Sequence, residues 1–252
     1  MKYIRLVLLA LLVVGSASYL TLHKAANLNT NSKSKSQTVN SPALAAEPSP
    51  DQAASLWVVV DKGRRLPSSY VPDPLVQPKV PVRGGLQDER LLRSDAAAAM
   101  EIMFKNAGND GLSLMLASGY RSYTTQQQLY GSYAKASGAV AADTFSAHAG
   151  YSEHQTGLAA DIEPASRNCE VAACFGQTAE GKWLKANCYK FGFIIRYTSE
   201  NQNTTGYIPE PWHIRYVGIA LASKLQNSGQ TLEQYFKLPA YLTYSASPFL
   251  LQ

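Results

Sequence analysis

Residues that could form disulfides or bind metal ions are scarce in this sequence, which has three cysteines and four histidines among 252 residues. It lacks a Cys-x-x-Cys pair, the clamp of structural zinc sites, and a Gly-x-Gly-x-x-Gly loop of dinucleotide-binding folds. The first 55 positions contain five of its 23 Lys and Arg residues and two of its 18 Asp and Glu residues. The remaining 18 basic and 16 acidic residues include no concentrated basic cluster. Nucleic-acid binding is therefore not supported, because it needs such a basic face.

The only long apolar run covers residues 6–22, after Lys2 and Arg5. We expect residues 1–23 to be either a signal peptide, cleaved near the small residues Gly15-Ser16-Ala17, or a retained membrane anchor, since about 20 apolar residues span a bilayer. No cysteine follows the run, which excludes a lipoprotein anchor. The chain is predicted to be exported, with membrane contact only through this segment.

Residues 24–55 contain mainly Asn, Ser, Lys, Ala and Pro, too few large apolar residues to form a core. They are predicted to form a flexible linker. Residues 56–252 are long enough for one domain with its own core, and we expect that domain to be monomeric.

The periodicity after residue 55 predicts an α+β domain, with a small, mainly antiparallel sheet flanked by helices. Short strands and helices of unequal length alternate without a regular βαβ repeat. Strands are predicted at 56–60, 113–117, 157–162, 193–197 and 213–217. Helices are predicted at 95–106 after an N-cap at Ser94, from Thr124 or Thr125 to 136, at 179–189, and twice near the C-terminus, the last after a capping box at residues 231–234.

Cys169, Cys174 and Cys188 fall within one twenty-residue stretch. An oxidising exterior permits one disulfide and leaves one thiol over, but the spacing does not reveal the pairing. A local disulfide is favoured over buried free thiols, and catalysis by cysteine is the least favoured interpretation.

Two motifs contain the residues of a catalytic zinc site, Ser152–Asp161 and Glu210–His213. His154, Asp161 and His213 would bind the metal and leave a fourth position to water, whose proton Glu210 could accept. Any one of these residues alone is more often a surface or structural residue. Their combination favours a zinc hydrolase with its site in a cleft on the sheet.

Local sequence supports this combination of residues. Gly157 permits a tight turn that brings His154 back to Asp161, and a buried Asp161 needs a compensating cation. Prolines on both sides of Glu210 exclude an ordinary helix there, so Glu210 and His213 can face one pocket. His148 lies in a Gly/Ala loop and is not taken as a ligand, but it is the next candidate should one of the three be wrong. His23 lies in the predicted linker and is not a candidate.

Arg121 lies in the segment Ser118–Tyr123, between a predicted strand and the next predicted helix. Its guanidinium could stabilise a developing oxyanion, or it could form a salt bridge at the start of the helix. The spacing does not distinguish these two roles.

Four motifs together closely resemble the zinc D-alanyl-D-alanine carboxypeptidases of the VanY family. They are Ser118–Tyr123 with Gln126, Gly150–Ile162, Gly192–Tyr197 and Glu210–Tyr216, and the resemblance covers nearly all of residues 56–240. It implies one zinc ion and a D,D-carboxypeptidase acting on peptidoglycan stem pentapeptides, located at the cell membrane or secreted to the cell wall.

The resemblance also implies a role for each site residue. It assigns zinc binding to His154, Asp161 and His213, proton transfer to Glu210, stabilisation of the tetrahedral intermediate to Arg121, and substrate binding to Ser152 and Gln126. The sequence departs from the family pattern in two places. Ala149 stands where the family usually has a proline, and the stretch 167–177 contains two cysteines and is unlike the common pattern. The second departure is expected to reshape one wall of the cleft and hence to affect substrate preference.

Several alternatives remain. Ser132-Tyr133-Ala134-Lys135 matches the Ser-x-x-Lys motif of serine-type D,D-peptidases, but no Lys-Thr-Gly follows, and Ser32–Lys35 matches it too. A non-catalytic wall-binding module on the same fold would not need Glu210. Within the enzyme class, an L,D-carboxypeptidase acting on tetrapeptide stems ranks second and a D,D-dipeptidase third.

Overall fold

A computed structural model of the chain describes residues 48–252. The α-helices of this region are α1 Ser94–Asn109, α2 Tyr123–Ser137, α3 Ala139–Ala142, α4 Ala179–Asn187, α5 Gln202–Thr205, α6 Ile219–Ser228 and α7 Leu232–Tyr235. The strands are β1 Arg64–Arg65, β2 Leu75–Val76, β3 Leu92–Arg93, β4 Leu114–Ser118, β5 Ala159–Pro164, β6 Phe193–Tyr197, β7 Glu210–Tyr216 and β8 Phe249–Leu250.

A four-stranded antiparallel sheet in the order β4-β5-β7-β6 forms the centre of the fold. In its register Asp161 lies opposite Ser118 on one side and His213 on the other. Paired residues on antiparallel strands point to the same face, so these three polar side chains form one row. The α+β architecture predicted from the sequence is confirmed.

The other face of the sheet is apolar because side chains alternate along each strand. Ala160 and Ile162, on either side of Asp161, and Ile214, next to His213, are buried in the main hydrophobic core. Helix α1 contributes Met100 and Met103 to this core, and α4 contributes Leu184. One face of the sheet therefore carries the polar row, and the opposite face packs against the hydrophobic core.

Val58, Val59 and Val60 are fully buried, but the strand predicted at 56–60 does not form. Side chains of two arginines satisfy its carbonyl groups where a neighbouring strand was expected. Arg215 Nη2 donates to the carbonyls of Leu56 and Val58, and Arg64 Nε donates to that of Val59. A buried β-branched run identifies core in this case. Its carbonyls accept from side chains, while the N–H groups of Val58 and Val59 donate to the carbonyls of Ser55 and Pro50.

The domain begins earlier than the predicted boundary at residue 55. Ala53 is buried, and its N–H donates to the carbonyl of Gln252. Asp51 accepts a hydrogen bond from Arg64. Residues 24–47 of the predicted linker and the N-terminal segment 1–23 lie outside the described residues. Within residues 48–252, the helices are too short or too polar to cross a bilayer.

Helix ends differ from the predictions by a few residues. Ser122 caps α2, with its Oγ accepting from the N–H of Thr125, so the predicted caps at Thr124 or Thr125 are wrong by two or three positions. Ser94 is the first residue of α1 and does not cap it through its side chain. The capping box between Thr231 and Gln234 at the start of α7 is confirmed.

Cys169 and Cys174 form a disulfide, and Cys188 is a buried free thiol. The predicted local disulfide is thus confirmed. It closes a short loop in which Cys169 and Val171 have positive φ angles of 64° and 39°, and Arg167, just before this loop, has a φ of 60°. Left-handed backbone is unfavourable for such residues.

Candidate metal centre and active-site cleft

His154, Asp161 and His213 form a buried cluster in which one ligand atom of each lies within 4.8 Å of the others. Asp161 lies between the two imidazoles. Its Oδ1 is 3.1 Å from His213 Nδ1, and its Oδ2 is 3.4 Å from His154 Nε2. The structure thus brings together all three residues that the sequence predicts as metal ligands.

The position of His154 depends on a tight turn. It lies in a 3₁₀ turn, Glu153–Thr156, which Ser152 precedes and Gly157 follows. Ser152 Oγ accepts from the N–H of His154, and Gly157 has a left-handed φ of 68°. A Cβ atom on Gly157 would also lie 3.1 Å from the backbone nitrogen of Arg93. Glycine is therefore required where the chain reverses to bring His154 beside Asp161.

Each histidine uses its second ring nitrogen to contact another acceptor. His154 Nδ1 is 2.6 Å from the carbonyl oxygen of Gly119, and His213 Nε2 is 3.4 Å from Glu153 Oε2. A neutral imidazole has one N–H, so these acceptors direct the lone pairs of His154 Nε2 and His213 Nδ1 toward the cluster.

The donor set fits a zinc ion, which binds imidazole nitrogen and carboxylate oxygen and keeps a fourth position for water in catalytic sites. Burial, with Arg121 nearby, lowers the pKa of His154 to about 4, so this imidazole is neutral and free to coordinate. Burial opposes the charged form of His213, but hydrogen bonds to Asp161 and Glu153 raise its pKa to about 9. The site therefore favours positive charge at His213 Nδ1, where a metal cation would replace the proton.

Glu210, the predicted proton acceptor, begins strand β7 and is buried beside the cluster. Its Oε2 is 3.8 Å from His213 Nδ1. Burial raises the pKa of Glu210 to about 8, against the attraction of His213. A carboxyl group with such a pKa can take up and release a proton near neutral pH.

Arg121 follows strand β4, where its guanidinium reaches the cluster. Its Nη2 donates to Asp161 Oδ2 at 2.7 Å and to Ser118 Oγ at 2.7 Å, and its Nε is 3.4 Å from Glu89 Oε1. Arg121 thus takes part in ion pairs, as its predicted salt-bridge role requires. It also lines the cleft, as the stabilisation of an oxyanion requires.

The cluster opens into a cavity of about 290 Å³. Gln126 and Ser152, the two predicted substrate-binding residues, line it together with Arg121 and Glu210. The Nε2 of Gln126 donates to the carbonyl of Ala147, and its buried Oε1 has no hydrogen-bond partner in the described part of the chain.

Two other candidates lie apart from this cluster. His148 stacks on Tyr244 at 3.7 Å between ring centroids, and its Nε2 is 2.8 Å from Asp143 Oδ1. Ser132 and Lys135 of the Ser-x-x-Lys motif are exposed on α2, where the Ser132 hydroxyl donates to the carbonyl of Gln128. The serine-peptidase alternative is therefore not supported by their placement.

Sequence reasoning missed the groups that hold the predicted metal ligands in place. Glu153 is fully buried, and two arginines keep its pKa far below the usual range despite that burial. Gly119 accepts from His154 and lies so close to other backbone that a Cβ would be 2.3 Å from the carbonyl oxygen of Leu91. Both residues stand inside the quoted motifs, but only the three-dimensional contacts assign their partners.

Comparison with known proteins identifies a family whose sequences are similar to this chain. Residues 89–219 match the family model for VanY, D-alanyl-D-alanine carboxypeptidase. The Bacillus subtilis carboxypeptidase-like protein YodJ is 41% identical over 184 residues, which are 73% of this chain and 67% of YodJ. An Enterococcus faecalis D-alanyl-D-alanine carboxypeptidase is 38% identical over 145 residues, 54% of this chain and 52% of that protein.

Two solved structures are similar to this one. The LD-carboxypeptidase LdcB has a TM-score of 0.70 and 40% identity, with 74% of this chain and 88% of that one covered. The vancomycin resistance D,D-pentapeptidase VanY in complex with Zn(II) has a TM-score of 0.59 and 32% identity, with coverages of 73% and 99%. Similarity thus extends to proteins named for two different bond specificities.

Proposed function

The chain belongs to the VanY family of D-alanyl-D-alanine carboxypeptidases, and from that premise we propose that it is a zinc-dependent D,D-carboxypeptidase acting on peptidoglycan stem pentapeptides. It would remove the terminal D-alanine with a single zinc ion. The observation that carries the proposal is the buried His154, Asp161 and His213 cluster with Glu210 Oε2 3.8 Å from His213.

When bound, zinc supplies the positive charge that acidifies a water molecule and polarises the scissile carbonyl. Glu210 accepts the proton of the attacking water and passes it to the leaving amine. Its pKa, raised to about 8 by burial, suits both transfers. His154, Asp161 and His213 would hold the metal at the wall of the cavity.

Arg121 stabilises the oxyanion that forms when the carbonyl is attacked. Its guanidinium has five N–H donors, of which the Nη2 group is engaged by Asp161 and Ser118. Its Nε lies against Glu89, which leaves the Nη1 group to interact with the developing charge at the cavity that Arg121 lines.

Ser152 and Gln126 bind the C-terminal end of the substrate. Ser152 Oγ accepts from the backbone of His154, which leaves its hydroxyl hydrogen to donate to a carboxylate. The unpaired Oε1 of Gln126 lies buried at the cavity, where a substrate N–H would satisfy it.

An L,D-carboxypeptidase acting on tetrapeptide stems is the second candidate, favoured by the similarity to LdcB. Both reactions release D-alanine, but the residue on the acyl side is D-alanine in one and an L-diamino acid with a long side chain in the other. A second cavity of about 240 Å³ shares Tyr197 with the first. The disulfide-closed loop borders both, with Val171 at the first cavity and Ala173 at the second. A long side chain would have room there.

D-alanine release from matched pentapeptide and tetrapeptide stems tests the proposal. The protein is assayed as purified, after treatment with a chelator, and after zinc is restored. Chelator-sensitive release from the pentapeptide alone supports the D,D assignment, and release from the tetrapeptide alone replaces it with the L,D assignment. No release from either, with zinc tightly bound, would point to a wall-binding module.

We also propose that the protein acts as a monomer outside the cytoplasm. The apolar run at residues 6–22 and a disulfide between Cys169 and Cys174, which persists in an oxidising compartment, support this location. Fractionation of cells and sedimentation of the purified protein test the two parts separately.

A further inference from the structure

Four charged side chains form a fully buried network next to the metal cluster: Glu153, Arg196, Arg215 and Glu233. The two carboxylates and two guanidinium groups balance in formal charge. Glu153 Oε1 accepts from Arg196 Nε at 2.9 Å and from Arg215 Nη1 at 2.8 Å. Such burial is costly unless every charge is paired, so the members depend on one another.

The two oxygens of Glu153 have different partners. Both arginines bind Oε1, while Oε2 faces His213 Nε2 at 3.4 Å. The two guanidinium groups at Oε1, at 2.9 and 2.8 Å, pair this buried carboxylate with positive charge. An ionised acceptor at Nε2 draws the single proton of a neutral imidazole to that nitrogen.

The network continues from Arg196 to the C-terminal part of the chain. Arg196 Nη1 and Nη2 donate to the two carboxylate oxygens of Glu233, at 3.1 and 2.5 Å. A paired, two-point contact of this kind fixes the plane of the guanidinium and therefore the direction of its Nε–H toward Glu153. Glu233 lies in α7, whose start is held by the capping box of Thr231.

We propose that Glu153 and, through Arg196, Glu233 are positioning residues that hold His213 with Nε2 protonated and Nδ1 directed at the metal. A carboxylate on the far nitrogen of a metal-bound histidine fixes its tautomer and raises its basicity. The metal affinity of the site thus depends on a helix about 20 residues beyond its last ligand. The inference deepens the proposed function and rests on it only for the identity of the metal.

Glu233→Gln in the full chain tests this inference, because Glu233 is two charged groups away from His213. We expect zinc affinity, measured by competition with a chromophoric chelator, to fall about tenfold. Thr231→Ala is the matched control. It removes the side-chain cap of the same helix but leaves the contact between Glu233 and Arg196, and zinc affinity should not change.

Two results would overturn the inference. One is an unchanged zinc affinity in Glu233→Gln, and the other is an equal loss in Thr231→Ala, which would mean that α7 acts only through stability. If Glu233→Gln does not fold, ¹⁵N NMR of the wild-type histidine rings decides. Zinc on Nδ1 of His213 with a proton on Nε2 supports the proposal, and the reverse assignment refutes it.

These readouts do not depend on D-alanine release. A wild-type protein that binds zinc through the predicted nitrogen but releases no D-alanine would remove the proposed function and leave the positioning role intact.

Discussion

Arg121 Nη2 lies 2.7 Å from Asp161 Oδ2, so one guanidinium group both holds a proposed metal ligand and lines the cavity beside it. Ser118 Oγ lies 2.5 Å from the same oxygen and donates to it, so this oxygen keeps a protein partner without Arg121. Loss of Arg121 is therefore expected to affect the chemical step more than the metal site.

For Arg121→Ala we expect kcat to fall by about 10²–10³, the usual effect of removing one donor to an oxyanion. Zinc affinity should fall far less, because Ser118 still binds Asp161. Steady-state kinetics on the pentapeptide and a chelator titration separate the two effects. Glu89→Gln is the control, since it weakens only the 3.4 Å contact with Arg121 Nε. A loss of zinc affinity as large as the loss of kcat would show that Arg121 serves the metal alone.

Glu210→Gln should lower kcat by about 10²–10⁴ while zinc remains bound, because the amide keeps the shape of the side chain but cannot accept the proton. Metal content and activity are measured on the same preparation. Glu180→Gln, on α4, provides an isosteric control outside the cleft. Full activity in Glu210→Gln would mean that another group accepts the proton.

Local chemistry in the sequence accounts for the central strands and for which residues meet at the site. His154, Asp161 and His213 come together because two predicted strands carry Asp161 and His213, and a glycine turn precedes one of them. Elsewhere the partner of a segment decides its structure. Val58 reads as a strand residue, but the carbonyl of Val58 is satisfied by Arg215 from far along the chain.

Long-range partners also decide the roles of the buried charged residues next to the site. Glu153 stands next to a predicted ligand, yet its role depends on Arg196 and Arg215, which are 43 and 62 residues away in sequence. An arginine within a β-strand is ordinarily read as a solvent-facing residue. Long-range pairing of buried charges leaves no periodic signal that a single sequence can reveal.

Val171 is expected to influence which stem peptide is cleaved. From the disulfide-closed loop it lines the cavity at the predicted metal cluster, at a positive φ that is unusual for a β-branched residue. Val171→Ala should raise the ratio of kcat/KM for tetrapeptide over pentapeptide about tenfold, since a change of one or two methyl groups in an apolar pocket alters discrimination by about 1–3 kcal/mol. Val140→Ala, at an exposed site on α3, is the matched control. An unchanged ratio would remove this loop from substrate selection.

Asp61 makes stability depend on pH, independently of catalysis. Its Oδ1 accepts from the N–H of Gly63, while its buried Oδ2 has no hydrogen-bond partner in residues 48–252. Burial raises the pKa of Asp61 from 3.8 to about 7, so between these values the folded protein keeps a proton that the unfolded chain has lost. The contribution of Asp61 to the free energy of unfolding therefore falls as pH rises through this window, by about 4 kcal/mol in total.

Asp61→Asn removes the titrating group and should be more stable than wild type at pH 8 but not at pH 4. Urea unfolding of both proteins across this range gives the difference in free energy of unfolding at each pH. Asp88→Asn, at an exposed position, is the control and should change the free energy of unfolding only slightly. If Asp61→Asn instead loses the same stability at every pH, the carboxyl group is ionised in the folded protein. In that case contacts with nearby cations such as Arg64 outweigh the cost of burial.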